Sequence, residues 1–442
     1  MTKPPFMNAP GPEPAEMLSN FRNIRFAAPD FLGHMQQKYG DIVQFSIPKP
    51  LTYLVSDPTW VDYVLRVNAK NFGKATIQYR TLALVTGYGL LAADSAAWRE
   101  QRKVVQPAFH HDLVAEVVSH SVAATNEVIE NISNKANEVV DLDHEMMELA
   151  LNVVGTSLFG ADFRNKSNKI VSATLSGLDV VVSRARTPIF PPNWLPTPLN
   201  LKLQRANKVL TKAVDKVIDG AASAPKNSIA GLLVEQLRIG SFNRKQVRDE
   251  LVTFIVAGHE TVASALSWAL HLISRSPEIQ QQLADEANRI YSGRNPEFND
   301  YQNLVFAQAV FNEAMRLYPP AWIITRAAIT DDVIAGIEIK AGSLIVISPW
   351  VVHRNLAVWS NPEEFNPDRF LKDLKPIAGS FIPFGLGNRM CIGRDFAMFE
   401  GVTALSMLAQ RFEFTPTKQR VNPLPSVTVR PKSGLPMEIK IR

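Results

Sequence analysis

The sequence predicts a mainly α-helical fold with small β-sheets, on three observations. Apolar residues recur at three- and four-residue spacing over most of 58–185 and 200–318, the period of a helix face. Alternating apolar and polar residues are confined to short stretches at 41–56, 333–348 and 427–442. The most apolar long run, LVTFIVAGHETVASALSWALHLI (251–273), carries His259 and Glu260 in its middle, which suits a buried core helix and not a membrane span.

Taken in order, residues 1–16 are Pro-rich and polar and are expected to form a flexible N-terminal arm ahead of a single domain, 17–442. DIVQFSIPKPLTYLVS (41–56) alternates about a Pro-Lys-Pro turn, as a hairpin does. The segment LVAEVVSHSVAATNEVIENI typifies the helices that follow. TPIFPPNWLPTPLN (187–200) interrupts them, because its five prolines cannot occupy a helix interior. Helices resume to about 318, and VIAGIEIKAGSLIVIS (333–348) supplies short strands. An irregular stretch runs to 390, a helix covers about 392–411, and VTVRPKSGLPMEIKIR is expected to close the chain as a hairpin.

The 442 residues are 46% hydrophobic and 20% charged, ordinary for a globular protein. Net charge is +5, from 47 basic and 42 acidic residues that are interspersed. No Lys/Arg block of the kind that tracks phosphates is present, so no nucleic-acid partner is expected, whereas an acidic protein partner is compatible. A single cysteine excludes an internal disulfide. The N-terminus lacks the apolar core of a signal peptide, and a cytoplasmic monomer is the expectation.

That one thiol, Cys391, sits in FIPFGLGNRMCIGRD (381–395). Lone cysteines are mostly inert core fillers. Here Gly385, Gly387 and Gly393 allow sharp turns and close approach, Arg389 adds positive charge, and a helix start lies just ahead. Such a setting stabilises a thiolate, which serves as a nucleophile or a metal ligand. A nucleophile wants a nearby base, and the neighbours are Arg and Gly. A ligand to haem iron wants an aromatic shield (Phe384), N–H groups that tune the sulfur, and an arginine for a propionate (Arg389).

The pattern Phe384–Gly387–Arg389–Cys391–Gly393 resembles the haem-binding signature of the cytochrome P-450 family. The resemblance runs from about residue 40 to the end. It implies a single-domain P-450 fold, with haem b (iron protoporphyrin IX) between the long central helix and the cysteine-loop helix, and Cys391 as the axial ligand. AGHET (257–261) then matches the oxygen-activating segment. Small Ala257 and Gly258 would let the helix lie against a flat cofactor, Thr261 would hydrogen-bond oxygen, and Glu260 would pass protons inward. The plain alternative for Thr261 is a bond back to the carbonyl of Ala257. Val262 departs from the second hydroxyl that many members carry. Glu313 and Arg316 in NEAMRLYPP, with Arg369 in NPDRF, resemble the family's buried structural triad. Trp98, Arg102, Arg326, His353 and Arg389 match its propionate-binding positions.

The implied reaction is hydroxylation by dioxygen with two electrons and two protons. KATIQYRTLALVTGYGLL, DLDHEM, VAGHETVASALSW, RLYPPAWIITR, GRDFAMFEG and VTVRPKSGLP are similar to the bacterial carotenoid-hydroxylating members, β-carotene 3-hydroxylase in particular. A pocket lined by Ile77, Tyr79, Leu82, Leu84, Val85, Trp322, Ile323 and Ile324 agrees, although each alone suits plain core equally. Arg80 and Arg184 are the cations that could instead hold a carboxylate. Phe190, Trp194 and Leu195 form either a packed lid or a peripheral membrane contact through 187–200. No Gly-rich nucleotide fingerprint is fused to the chain, so ferredoxin and a ferredoxin reductase are the expected donors, met by Arg99, Lys103 and Arg394. The alternatives are a fatty-acid or terpenoid hydroxylase, a peroxide-driven or isomerising haem-thiolate enzyme, and a haem sensor.

Overall fold

The computed structural model describes residues 8–47, 50–135, 138–187, 190–220, 225–371 and 376–442. Its contacts divide into two compact units, and the backbone passes between them five times, which is why no linker is visible in the sequence.

The first unit comprises Met1–Arg80, Arg316–Glu364 and Leu374–Cys391. Its sheet has the strand order Ile42–Phe45, Thr52–Val55, Leu344–Ile347, Ile324–Ala328, Phe72–Gly73. The expected hairpin pairs Ile42 with Val55 and Phe45 with Thr52, and Thr52–Leu54 then runs parallel to Leu344–Val346. Residues 48 and 49 of its turn lie outside the described residues. Inward Tyr53, Val55, Ile345 and Ile347 pack on Val61, Val64 and Leu65 to form this unit's core. The expected arm is corrected over its described part. Gln44 N–H donates to the Pro10 carbonyl at 2.8 Å, a helix begins at Pro14, and Met17 is buried. Residues 1–7 of that arm lie outside the description.

The second unit comprises Thr81–Met315, Phe365–Asp373 and Ile392–Arg442. Its central helix, Arg244–Ile273, opens on a capping box in which Asn243 and Gln246 satisfy each other's backbone N–H groups at 3.0 and 2.8 Å. The helix is apolar nearly all round because neighbours cover it on most sides. By length and composition it could cross a membrane, yet 83% of its apolar window is buried against protein. It packs along Leu142–Phe159, a helix capped by Asp141 and ended by Gly160 at φ +59°. The cysteine-loop helix spans Arg394–Arg411.

The C-terminal hairpin is not formed. Val429–Pro431 pairs with Pro423–Pro425, whereas Pro436–Ile441 pairs with Phe412–Pro416 and with Val139–Asp141. The alternation identified the strands, but their partners come from elsewhere in the chain. In the Pro-rich stretch, residues 188 and 189 lie outside the description; Trp194 is 78% exposed. Arg184 is buried, donates to the side-chain oxygens of Asn193 and Asn200, and sits 5.5 Å from the Phe190 ring. It staples this stretch to its helix and is not a free carboxylate clamp.

Candidate functional site

In the first unit the cysteine loop is built on backbone turns. Gly385 and Gly387 both adopt positive φ, and a Cβ on Gly387 would fall 2.3 Å from the Leu65 carbonyl oxygen, so glycine is required there. Cys391 N–H donates to the Phe384 carbonyl at 2.9 Å, which closes the loop and leaves the thiol exposed. Phe384 and Arg389 flank it, half-buried.

His353 corrects an expectation. Its Nε2 accepts from Ile382 N–H at 2.9 Å, so the proton sits on Nδ1, which donates to the Arg316 carbonyl at 3.2 Å. A fully buried imidazole with both nitrogens engaged cannot hold a propionate; it braces the loop. Arg316 donates to the carbonyls of His353, Pro362 and Glu364 at 3.0, 2.7 and 3.0 Å, with Trp359 against its face. In the second unit, Glu313 accepts from Asn366 N–H at 2.9 Å and from Arg369 Nε–H at 3.3 Å. The residues of the expected triad thus bond to segments far along the chain, Arg316 to the stretch 353–364 and Glu313 to the stretch 366–369 that carries Arg369.

Arg326 lies buried in the first unit, donating to the Tyr79 hydroxyl at 3.2 Å, and Lys74 stands over the Tyr79 ring at 4.7 Å. Thr76, Gln78 and Thr325 join in a hydrogen-bonded chain. Tyr79 thus belongs to a polar cluster and not to an apolar roof, and Ile77 is exposed. Trp322 is buried, its carbonyl accepting from Ser348, and Ile324 lies half-buried on a strand. Leu82 and Val85 are core residues of the second unit.

On the central helix the Thr261 hydroxyl donates to the Ala257 carbonyl at 2.8 Å, and the helix runs unbroken through it. Between residues 251 and 271 only Ala257, Gly258 and Thr261 are half-buried and the rest are buried, so within this stretch the helix surface is open on one turn. Gly258 faces elsewhere. A Cβ there would lie 2.7 Å from Val154, so its smallness serves helix–helix packing, not a flat cofactor. Glu260 is buried and accepts from the Thr428 hydroxyl at 2.8 Å. Burial pushes its carboxyl up to about 7, against the pull of Arg430 and the Thr428 hydrogen bond. Neighbouring His259 is held neutral, burial lowering its pKa to about 4.

Trp98 and Arg102 stack at 6.0 Å on the helix Ser95–Val105. They border an open cleft of about 400 Å³ with Arg99, Lys103, Gln106 and His110. Arg394, expected as a docking cation, pairs with Asp395 at 2.8 Å. Gly393 has an ordinary φ of −93°, and the nearest atom to a Cβ there is 3.4 Å away, so neither backbone nor protein packing demands glycine. The sequence reading missed Thr428, Arg430 and Asp143 around Glu260. The available signal was that a glutamate inside an apolar helix must be partnered, and an arginine in the apolar strand VTVRP was waiting.

The Cytochrome P-450 family model matches residues 9–437. Cyclooctatin synthase of Streptomyces melanosporofaciens is 33% identical, over 90% of this chain and 89% of that protein. Protein LUTEIN DEFICIENT 5, chloroplastic, of Arabidopsis thaliana is 30% identical, over 98% of this chain and 77% of that one. The crystal structure of CYP175A1 from Thermus thermophillus superposes with a TM-score of 0.80 at 30% identity, covering 98% of this chain and all of that one. With the exposed thiol in its glycine-built loop, these matches place the chain in the cytochrome P-450 family of haem monooxygenases.

Proposed function

We propose that this protein hydroxylates an apolar substrate, β-carotene at ring position 3 (towards zeaxanthin), with Cys391 as the haem-iron ligand. The residues fit the group. The loop closes on its own backbone with Cys391 exposed, Gly393 is a glycine that neither backbone nor protein packing demands, and each unit offers cations, Arg326 and Arg389 in the first and Arg102 beside Trp98 in the second. When bound, the haem supplies the electron and oxygen chemistry. Cys391 would ligate the iron, and Trp98, Arg102, Arg326 and Arg389 would hold the propionates. Thr261, by leaving the Ala257 carbonyl, would offer a hydroxyl on the one half-buried turn within residues 251–271. Glu260, which can hold or release a proton near neutral pH, supplies protons to it. The observation that carries the reading is the exposed Cys391 thiol.

The carotenoid assignment is supported by the relative named for lutein, which matches 98% of this chain. A second reading, hydroxylation of a cyclic terpenoid, is supported by the relatives named cyclooctatin synthase and cyclooctat-9-en-7-ol 5-monooxygenase. Titrating the purified ferric protein with β-carotene and with cyclooctat-9-en-7-ol, while following the Soret band, separates the two. Saturable displacement by β-carotene is the expected result; a response to the terpenoid alone would replace the first reading with the second. Electrons would come from a separate ferredoxin and its reductase, met by Arg99 and Lys103, both exposed at the open cleft.

A further inference from the structure

The residues around Glu260 form a buried charge cluster that the reaction scheme above does not use. Arg430, on the strand Val429–Pro431, is ion-paired with Asp143 on the helix Leu142–Phe159, and both are nearly buried. The other Asp143 oxygen accepts from the Ser267 hydroxyl at 3.1 Å. The strand is pinned to the central helix, since the Val429 carbonyl accepts from Ser264 at 2.6 Å and from the Trp268 indole at 2.8 Å. That pinning puts Thr428 against Glu260, at 2.8 Å. The charged groups acting on Glu260 are Arg430, Asp143 and, from the helix Ser167–Ala185, Asp179; His259 beside it is neutral.

Among the described residues one cation, Arg430, thus serves two buried carboxylates and is spent on Asp143. We propose that Asp143, Arg430 and Thr428 are positioning residues for Glu260: Asp143 withholds the guanidinium from it, and Thr428 fixes the direction in which its carboxyl points. Were Arg430 paired with Glu260 directly, that carboxylate would be locked in its ionised form and useless as a proton carrier. Without Thr428 the carboxyl would have no hydroxyl to steer it. The direction of the raised Glu260 pKa agrees with this division of charge.

The inference rests on Glu260 having the proton role proposed above, and the test separates the two. In the ferric holoprotein, the protonated-carboxyl infrared band lost in Glu260→Gln is followed against pH. Asp143→Asn should lower its titration midpoint by about one pH unit or more, as Arg430 turns to Glu260. Thr428→Val should raise the midpoint, and Thr428→Ser should return it to the wild-type value. Asp143→Asn uncovers a buried cation and can cost folding, so the near-isosteric Thr428→Val decides the matter if that variant is lost. An unchanged midpoint in Thr428→Val overturns the inference. Unchanged coupling of oxygen use to product in Glu260→Gln overturns the proton role instead, and the infrared titration still judges the cluster.

Discussion

Glu250, ten residues before Glu260 on the central helix, should make stability fall as pH rises. It is 0% exposed; one carboxyl oxygen accepts from Leu90 N–H at 3.0 Å and the other has no partner among the described residues. Burial is the largest effect and lifts its pKa from 4.5 to about 7; the Leu90 hydrogen bond opposes this and Asp249 adds to it. The sign follows from linkage. Between 4.5 and 7 the unfolded chain has released this proton and the native state still holds it, so stability present below 4.5 is lost as pH climbs through that window. A rise of that size corresponds to roughly 3 kcal/mol. Glu250→Gln keeps an acceptor for Leu90 and removes the titration. Denaturant midpoints of wild type and variant, taken from about pH 4.5 to about 8, should diverge in the variant's favour by about 3 kcal/mol. Glu260 and Glu400 are raised in both proteins and cancel in the difference. Parallel curves would refute the reasoning.

Lys103→Glu should slow reduction by ferredoxin several-fold at low salt and leave peroxide-supported turnover alone, because a rim charge acts on association; equal reduction rates would remove the docking face. Gly401→Ala should lower the thermal midpoint, since its Cβ would lie 2.2 Å from the ring of Phe311, which is itself buried. Overpacking of this kind costs about 1–3 kcal/mol, more than the helix gains from alanine, and an unchanged midpoint would contradict that packing. Trp194 is exposed enough to touch a bilayer. Trp194→Ala should lessen flotation with liposomes if the segment binds lipid, and flotation equal to wild type would leave the lid as its role.

The helical body was legible because long periodic segments declare themselves, and the cysteine loop because Gly385, Gly387 and Cys391 are informative by type. Partners were not legible. Period-two alternation in 427–442 marks strands but says nothing of Phe412–Pro416 or Val139–Asp141, which lie elsewhere in the chain. His353 falls at a propionate-binding position of the family that the sequence resembles, whereas the fold uses both its nitrogens on backbone groups. The smallness of Gly258 suits a flat cofactor and a close helix equally, and only the placement of Val154 shows what it admits. The buried Glu260 needed partners, and nothing in the primary structure pairs residue 260 with 428 or 430 before the C-terminal strand is placed.

Sulfur-to-iron bonding by Cys391 is best tested on the reduced protein treated with carbon monoxide. The wild type should give the long-wavelength Soret band of a thiolate-ligated haem, and Cys391→Ser should lose it together with hydroxylation. A wild-type spectrum without that band, or a serine variant that keeps it, would contradict the account.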